Sequence, residues 1–257
     1  MKRGRIFLNG AIHEVQPAQD GYVRLANGQT LAQDQVQWLA PVEPGAIFAL
    51  GLNYADHATE LAFKAPEQPL VFLKGPNAVV GHNAHTPRSA SAEYMHYECE
   101  LAVVIGKPAK NVKQKDAYAY VAGYTVANDY VTRDHLENYY RPNLFAKNRD
   151  ASTPLGPWLV DAADIRDPMA LQLTTSVNGK ITQQGTTRDM VFSIPWLIEY
   201  LSAIMTLSPN DIILTGTPKG LVNVAIGDVV TTEVQDVGRL VNTLVDDKTY
   251  LTMAGRA

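Results

Sequence analysis

The chain has a single cysteine, Cys99, among 257 residues. One cysteine cannot close an internal disulfide or supply a multi-cysteine metal motif. No cation or histidine stands immediately beside it to activate a thiol, so it reads as a small buried hydrophobe. No apolar run approaches the roughly 20 residues of a membrane-spanning helix. Ile6-Phe7-Leu8, after the basic start Met1-Lys2-Arg3-Gly4-Arg5, is too short for a signal-peptide core, so a cytoplasmic protein is expected. There is no long basic run and no interleaving of basic with aromatic residues. With a formal net charge of -4, the chain is not expected to bind nucleic acid. Repeats and low-complexity segments are also lacking. What remains, at 46% hydrophobic and 19% charged residues, is the composition of a globular protein with one large domain, or one domain and a small appendage.

Two glutamates separated by one residue organise the chain. Tyr97-Glu98-Cys99-Glu100-Leu101-Ala102-Val103-Val104-Ile105-Gly106 is rich in aliphatic residues and ends at a glycine, which predicts a strand. Side chains alternate along a strand, so Glu98 and Glu100 share a face and Cys99, Leu101, Val103 and Ile105 point the other way. Carboxylates side by side on an apolar strand repel unless a shared cation offsets them, and oxygen donors suit Mg²⁺, Mn²⁺ or Ca²⁺. A wet edge strand with solvated glutamates is the competing reading.

Residues 1–44 read as a small separate β unit, with hairpin turns at Asn9-Gly10 and Asn27-Gly28 and a packing or dimer role. Pro41 and Pro44-Gly45 mark its boundary, and residues 45–257 form the second domain. Within that domain, His57 and Glu60 sit three apart in a helical stretch, where a carboxylate can orient a histidine as a general base; a surface His–Glu pair has the same spacing. Val121–Asp129 predicts a strand whose apolar run ends in an acid; Asp129 is a third oxygen ligand if it lies beside the glutamates and a turn-forming aspartate if it does not. Arg133 and Arg141 can bind anions or form surface salt bridges. Lys147 by itself reads as a solvated surface lysine. Ser193 can cap a helix carrying Ile194, Leu197, Ile198, Leu201, Ile204 and Met205 at helical spacing. Gly216-Thr217-Pro218-Lys219-Gly220 is a tight turn whose amides and Thr217 hydroxyl could hold a carboxylate, or simply connect two elements.

Taken in order, these pieces resemble the fumarylacetoacetate hydrolase superfamily from about Ala49 to Val245. The matching motifs are Asn53-Tyr54-Ala55-Asp56-His57, the glutamate strand, Gly123–Asp129, Pro154-Leu155-Gly156-Pro157-Trp158, Val177-Asn178-Gly179 and Leu214–Gly220. Asn128-Asp129-Tyr130, Leu136–Asn143 and Lys147-Asn148-Arg149-Asp150 are similar to one branch, the bifunctional isomerase/decarboxylases of 4-hydroxyphenylacetate (homoprotocatechuate) degradation, in particular their C-terminal half. The resemblance implies a mainly β fold with a few helices, a mixed β-roll, usually dimeric. It implies Mg²⁺ or Mn²⁺ on Glu98, Glu100 and Asp129, a lid dyad of His57 and Glu60, and Lys147 and Thr217 at the substrate. Leu52 and Leu136 stand where many members carry arginine and glutamine. This weakens a transfer of acylpyruvate hydrolase or oxaloacetate decarboxylase activity.

The expectation is therefore a metal-dependent decarboxylase of 5-oxopent-3-ene-1,2,5-tricarboxylate, a 2-oxo acid, with or without isomerisation of 2-hydroxyhepta-2,4-dienedioate. Arg133 or Arg141 would hold the distal carboxylate. Two alternatives stand beside it. One is a carbon–carbon bond hydrolase of acylpyruvates or fumarylacetoacetate-like diketones. The other is a non-catalytic subunit that needs a partner half. A homodimer, or a pair with a homologous subunit, is expected.

Overall fold

The computed structural model describes residues 1–19, 21–60, 66–135 and 143–253. It is mainly β with a few short helices. A 12-stranded mixed sheet runs in the order Thr30–Ala32, Tyr22–Leu25, Ala11–Pro17, Lys2–Leu8, Thr153–Asp161, Val121–Asn128, Cys99–Ile105, Ile212–Leu214, Ile47–Gly51 and Leu70–Lys74, with Gln37–Leu39 and Val79–Val80 attached off this path. A 5-stranded sheet is built from Lys180–Thr186, Gln172–Val177, Val229–Val234, Gly238–Asp246 and Ala84–Arg88. Neither sheet closes on itself among the described residues.

Local chemistry accounts for the turns. Asn9 and Gly10 both take positive φ (50° and 80°), as do Asn178 and Gly179 (51° and 80°). That is the primed geometry that matches strand twist in two-residue hairpins. The strands of residues 1–44 join the larger sheet through Lys2–Leu8, which pairs antiparallel with Thr153–Asp161. The amphipathic helix spans Ile194–Ile204 and is capped by Ser193 Oγ, which accepts from Trp196 N at 3.4 Å. Ile194, Leu197, Ile198 and Leu201 are buried, but Ile204, the last helical residue, and Met205 after it are exposed.

The glutamate strand differs from expectation in two respects. It begins at Cys99 rather than Tyr97, and every residue from Cys99 to Ile105 is buried, so it has no wet face. It sits in the middle of the large sheet, between Val121–Asn128 and Ile212–Leu214. The strand Ile212–Leu214 leads directly into the turn at Gly216, which takes φ +88°.

Asn53 closes the floor under that turn. Its Nδ2 donates to Thr215 O at 2.8 Å and to Phe192 O at 3.1 Å, and its Oδ1 accepts from Phe192 N at 2.8 Å. A Cβ on Gly216 would meet Asn53 Cβ at 2.9 Å. Gly216→Ala is expected to lower stability by about 2 kcal/mol in urea unfolding, from left-handed strain and this contact together. Burial pushes the Cys99 thiol up to about 12. Native protein at pH 8 should therefore not react with a disulfide reagent, whereas denatured protein should yield one equivalent of thiol per chain.

Candidate active site

Strand register brings the carboxylates together. Cys99 stands opposite Asn128, and Glu100 opposite Ala127, in an antiparallel pair. One step along, Asp129 N donates to Glu98 O at 2.9 Å and Glu98 N donates to Asn128 Oδ1 at 2.9 Å. The pairing thus sets Asp129 across from Glu98, while the small Ala127 leaves room beside Glu100. One carboxylate oxygen from each of Glu98, Glu100 and Asp129 lies within 4.8 Å of the others, and all three residues are buried.

Buried charges of one sign need compensation. Lys147 Nζ pairs with Glu98 Oε2 and, at 2.8 Å, with Asp129 Oδ2. Lys74 Nζ pairs with Asp129 Oδ1. Arg133 Nη2 donates to Glu98 Oε1 at 2.9 Å, and its Nε donates to His96 Nδ1 at 3.2 Å. Burial raises the Glu98 carboxyl, but Lys147, then Arg133 and His57, outweigh it and hold Glu98 at about 2. Burial pulls Lys74 below its ordinary value against the opposing pull of Asp129. For Lys147, Asp129 and Glu98 overcome burial and the shift is upward. Burial, with Arg133 beside it, lowers His96 to about 4, so it stays a neutral acceptor.

Glu100 is different. Its Oε2 accepts from Gly216 N at 2.6 Å, but its Oε1 is buried with no partner among the described residues. Burial, then the charges of Asp129 and Glu98, push this carboxyl well above its ordinary range. An orphaned carboxylate oxygen within a set of three hard oxygen donors fits a divalent cation. Three basic side chains already pair with Glu98 and Asp129, so an added cation would leave the site attractive to anionic ligands.

The histidine–glutamate pair lies on the helix Ala55–Glu60, with His57 Nδ1 3.2 Å from Glu60 Oε2. His57 is buried, not a surface residue. Gly220 N donates to Glu60 Oε1 at 3.0 Å. The turn from Gly216 to Gly220 therefore bonds the carboxylate triad at one end and the dyad at the other. Thr217, buried in that turn, accepts from Gln183 Nε2 at 2.9 Å.

Lys147 contacts Glu98 and Asp129, Arg133 contacts Glu98, and Glu100 lies within 4.8 Å of the other two acids; the dyad joins them through the turn. Arg133 is engaged by Glu98 and His96, and Lys147 is buried rather than solvated. Arg141, Leu136 and the segment 61–65 lie outside the described residues. Sequence reasoning missed Lys74, His96 and Gln183. The signal for Lys74 was a lone charge closing the apolar strand Leu70–Lys74; for the other two there was none without knowing which strands meet.

A family model described as fumarylacetoacetate (FAA) hydrolase C-terminal matches residues 46–245. The 4-hydroxyphenylacetate degradation bifunctional isomerase/decarboxylase of Salmonella dublin is 60% identical over 201 residues, which cover 78% of this chain and 47% of that protein. The chain thus spans about half the length of this curated relative. Among solved structures, 5-carboxymethyl-2-hydroxymuconate delta-isomerase from Mycobacterium smegmatis superposes with TM-score 0.84 at 37% identity, covering 96% of this chain and 99% of that one. Maleylpyruvate hydrolase from Sphingobium sp. SYK-6, solved with manganese(II) and pyruvate, gives TM-score 0.82 at 27% identity, covering 96% and 99%. The mainly β, mixed-roll fold expected from the sequence is borne out by these neighbours.

Replacing Lys147 with methionine should lower the stability of the metal-free protein by about 3–5 kcal/mol, because buried carboxylates lose their counter-charge. Thermal unfolding with Mn²⁺ against a chelator should show a larger metal-induced rise in Tm for Lys147→Met than for the wild type. A Glu98→Gln change should abolish the rise.

Proposed function

Because the chain belongs to the fumarylacetoacetate hydrolase family, we propose that it is a metal-dependent decarboxylase of 5-oxopent-3-ene-1,2,5-tricarboxylate that also isomerises the product, 2-hydroxyhepta-2,4-dienedioate, in homoprotocatechuate catabolism. The observation that carries this reading is the buried triad of Glu98, Glu100 and Asp129 beside Lys147. The activity named for the relative at 60% identity and the isomerase named for the M. smegmatis neighbour support it.

The triad would hold Mg²⁺ or Mn²⁺, which when bound supplies Lewis-acid polarisation of the substrate's keto oxygen. The carboxylate that leaves as CO₂ is vinylogous to that keto group, so its electrons pass through the double bond towards the keto oxygen. Lys147 Nζ would donate a hydrogen bond to the negative charge developing there. His57 donates Nδ1–H to Glu60, which leaves Nε2 to carry a proton to or from the substrate carbon. Glu60, pinned by Gly220 N, keeps the imidazole in that tautomer. Thr217 Oγ would bind the carboxylate next to the keto group. Arg133 would hold Glu98 in place, which leaves Arg141 as the partner for the distal carboxylate. Residues 1–44 would act as a packing unit beside the catalytic domain of residues 45–257.

A second reading is carbon–carbon hydrolysis, favoured by the neighbour that is a maleylpyruvate hydrolase; the same dyad would then activate water. Since the chain spans about half of its 60%-identical relative, a homodimer or a homologous second half would complete the assembly.

The test is CO₂ release from 5-oxopent-3-ene-1,2,5-tricarboxylate by protein with Mg²⁺, with and without a chelator. The expected outcome is chelator-sensitive release. His57→Gln should lower product isomerisation at least about 100-fold, in line with loss of a general acid–base. Full activity of Glu98→Ala without added metal would overturn the scheme. Two organic acids without CO₂ would point to hydrolysis, and activity only after adding a homologous half would point to an obligate pair.

A further inference from the structure

The turn that joins the triad to the dyad rests on the hairpin of Gln172–Val177 and Lys180–Thr186. The approach is close: a Cβ on Gly185 would meet Pro218 Cβ at 2.4 Å. From this hairpin Gln183, 1% exposed, reaches the turn with all of its amide committed. Thr175 Oγ1 donates to Gln183 Oε1 at 2.8 Å. Gln183 Nε2 donates to Thr217 Oγ1 at 2.9 Å and to Pro218 O at 2.7 Å.

These bonds fix the direction of every hydrogen. Pro218 O is a carbonyl and can only accept, so the atom facing it is the NH₂ group and the amide cannot be flipped. That group has two hydrogens. One goes to Pro218 O and the other to Thr217 Oγ1. Thr217 Oγ1 is therefore an acceptor on its Gln183 side. Among the described residues it donates to no recorded protein acceptor, and its own hydrogen remains to be given. A hydroxyl held in this way is a preorganised donor, and a donor is what a carboxylate needs.

We infer that Gln183 is a positioning residue: it holds the Thr217 hydroxyl as an acceptor so that the hydroxyl hydrogen is presented to the carboxylate of a 2-oxo acid. The inference rests on the reading that such a carboxylate meets Thr217. Gln183 itself touches no substrate and acts through Thr217. A glutamate at this position has the same shape but at most one acid hydrogen. It cannot serve both Pro218 O and Thr217 Oγ1, so the Thr217 hydroxyl turns to donate to it and presents a lone pair to the ligand.

The test is a double-mutant cycle with pyruvate as the probe. Pyruvate affinity is measured by calorimetry on Mn²⁺-loaded wild type, Gln183→Glu, Thr217→Val and the double variant, with Mn²⁺ affinity measured separately on each. Gln183→Glu should weaken pyruvate about tenfold, the loss of one charge-assisted hydrogen bond. In the Thr217→Val background the same change should cost several-fold less, and Mn²⁺ affinity should stay within about twofold throughout. Equal losses in both backgrounds would mean general disturbance by the new side chain and overturn the inference, as would unchanged pyruvate binding by Gln183→Glu. If Gln183→Glu does not fold, Gln183→Met carries the same cycle with an expected loss of about threefold that again depends on the Thr217 hydroxyl. Wild-type protein that binds Mn²⁺ but not pyruvate would remove the 2-oxo acid reading and this inference with it. Pyruvate binding that ignores both residues would remove only the inference.

Discussion

Three carboxylates confined in a dry interior are the constraint on which the rest of this structure depends. Glu98, Glu100 and Asp129 are brought within 4.8 Å by strand pairing, and no water-exposed face relieves them. In a medium of low polarity such a cluster is tolerable only with matched positive charge or partial protonation. The protein supplies the positive charge. Lys74, Lys147 and Arg133 are drawn in from three separate segments, and Glu100, the acid without a basic partner among the described residues, is the one whose carboxyl is pushed upward. Charge compensation thus explains why two lysines are buried in a protein that has ample surface for them.

The turn from Gly216 to Gly220 is the mechanical counterpart of that electrostatic centre. Its first amide bonds Glu100, its last amide bonds Glu60, and its middle residues lean on Gln183. A positive φ at Gly216 and the absence of a Cβ let it approach Asn53 closely. One short loop therefore keeps the His57–Glu60 pair and the three carboxylates in register. Backbone amides serve this purpose well, because they cannot titrate and have no rotamer freedom to lose.

Much of the site was legible from local pattern. The spacing of Glu98 and Glu100 carried their shared face, the end of an apolar strand marked Asp129, and the helical offset of three paired His57 with Glu60. Each of these relations is set by the geometry of a single element or its end. Arg133 and Lys147 were legible as candidates but not in their contacts. Their ordinary reading as surface charges fails because the acids they serve come from other strands. Gln183 and His96 carried no local signal at all: a polar residue on a half-exposed hairpin looks the same whether or not a turn is packed against it.

The sequence by itself determined the mainly β character, the hairpins at Asn9-Gly10 and Asn178-Gly179, the capped helix at Ser193 and the presence of an acidic motif suited to a hard cation. These follow from side-chain alternation, positive-φ residues and capping chemistry, which act over a few residues. Only the tertiary structure decided that the glutamate strand is central and buried on both faces, that Asp129 stands across from Glu98, and that Lys74 closes the charge balance. The reason is physical. Burial and counter-charge are properties of residues brought together from distant positions, such as Lys74 and Asp129, 55 residues apart, and no local period encodes which strands will be neighbours.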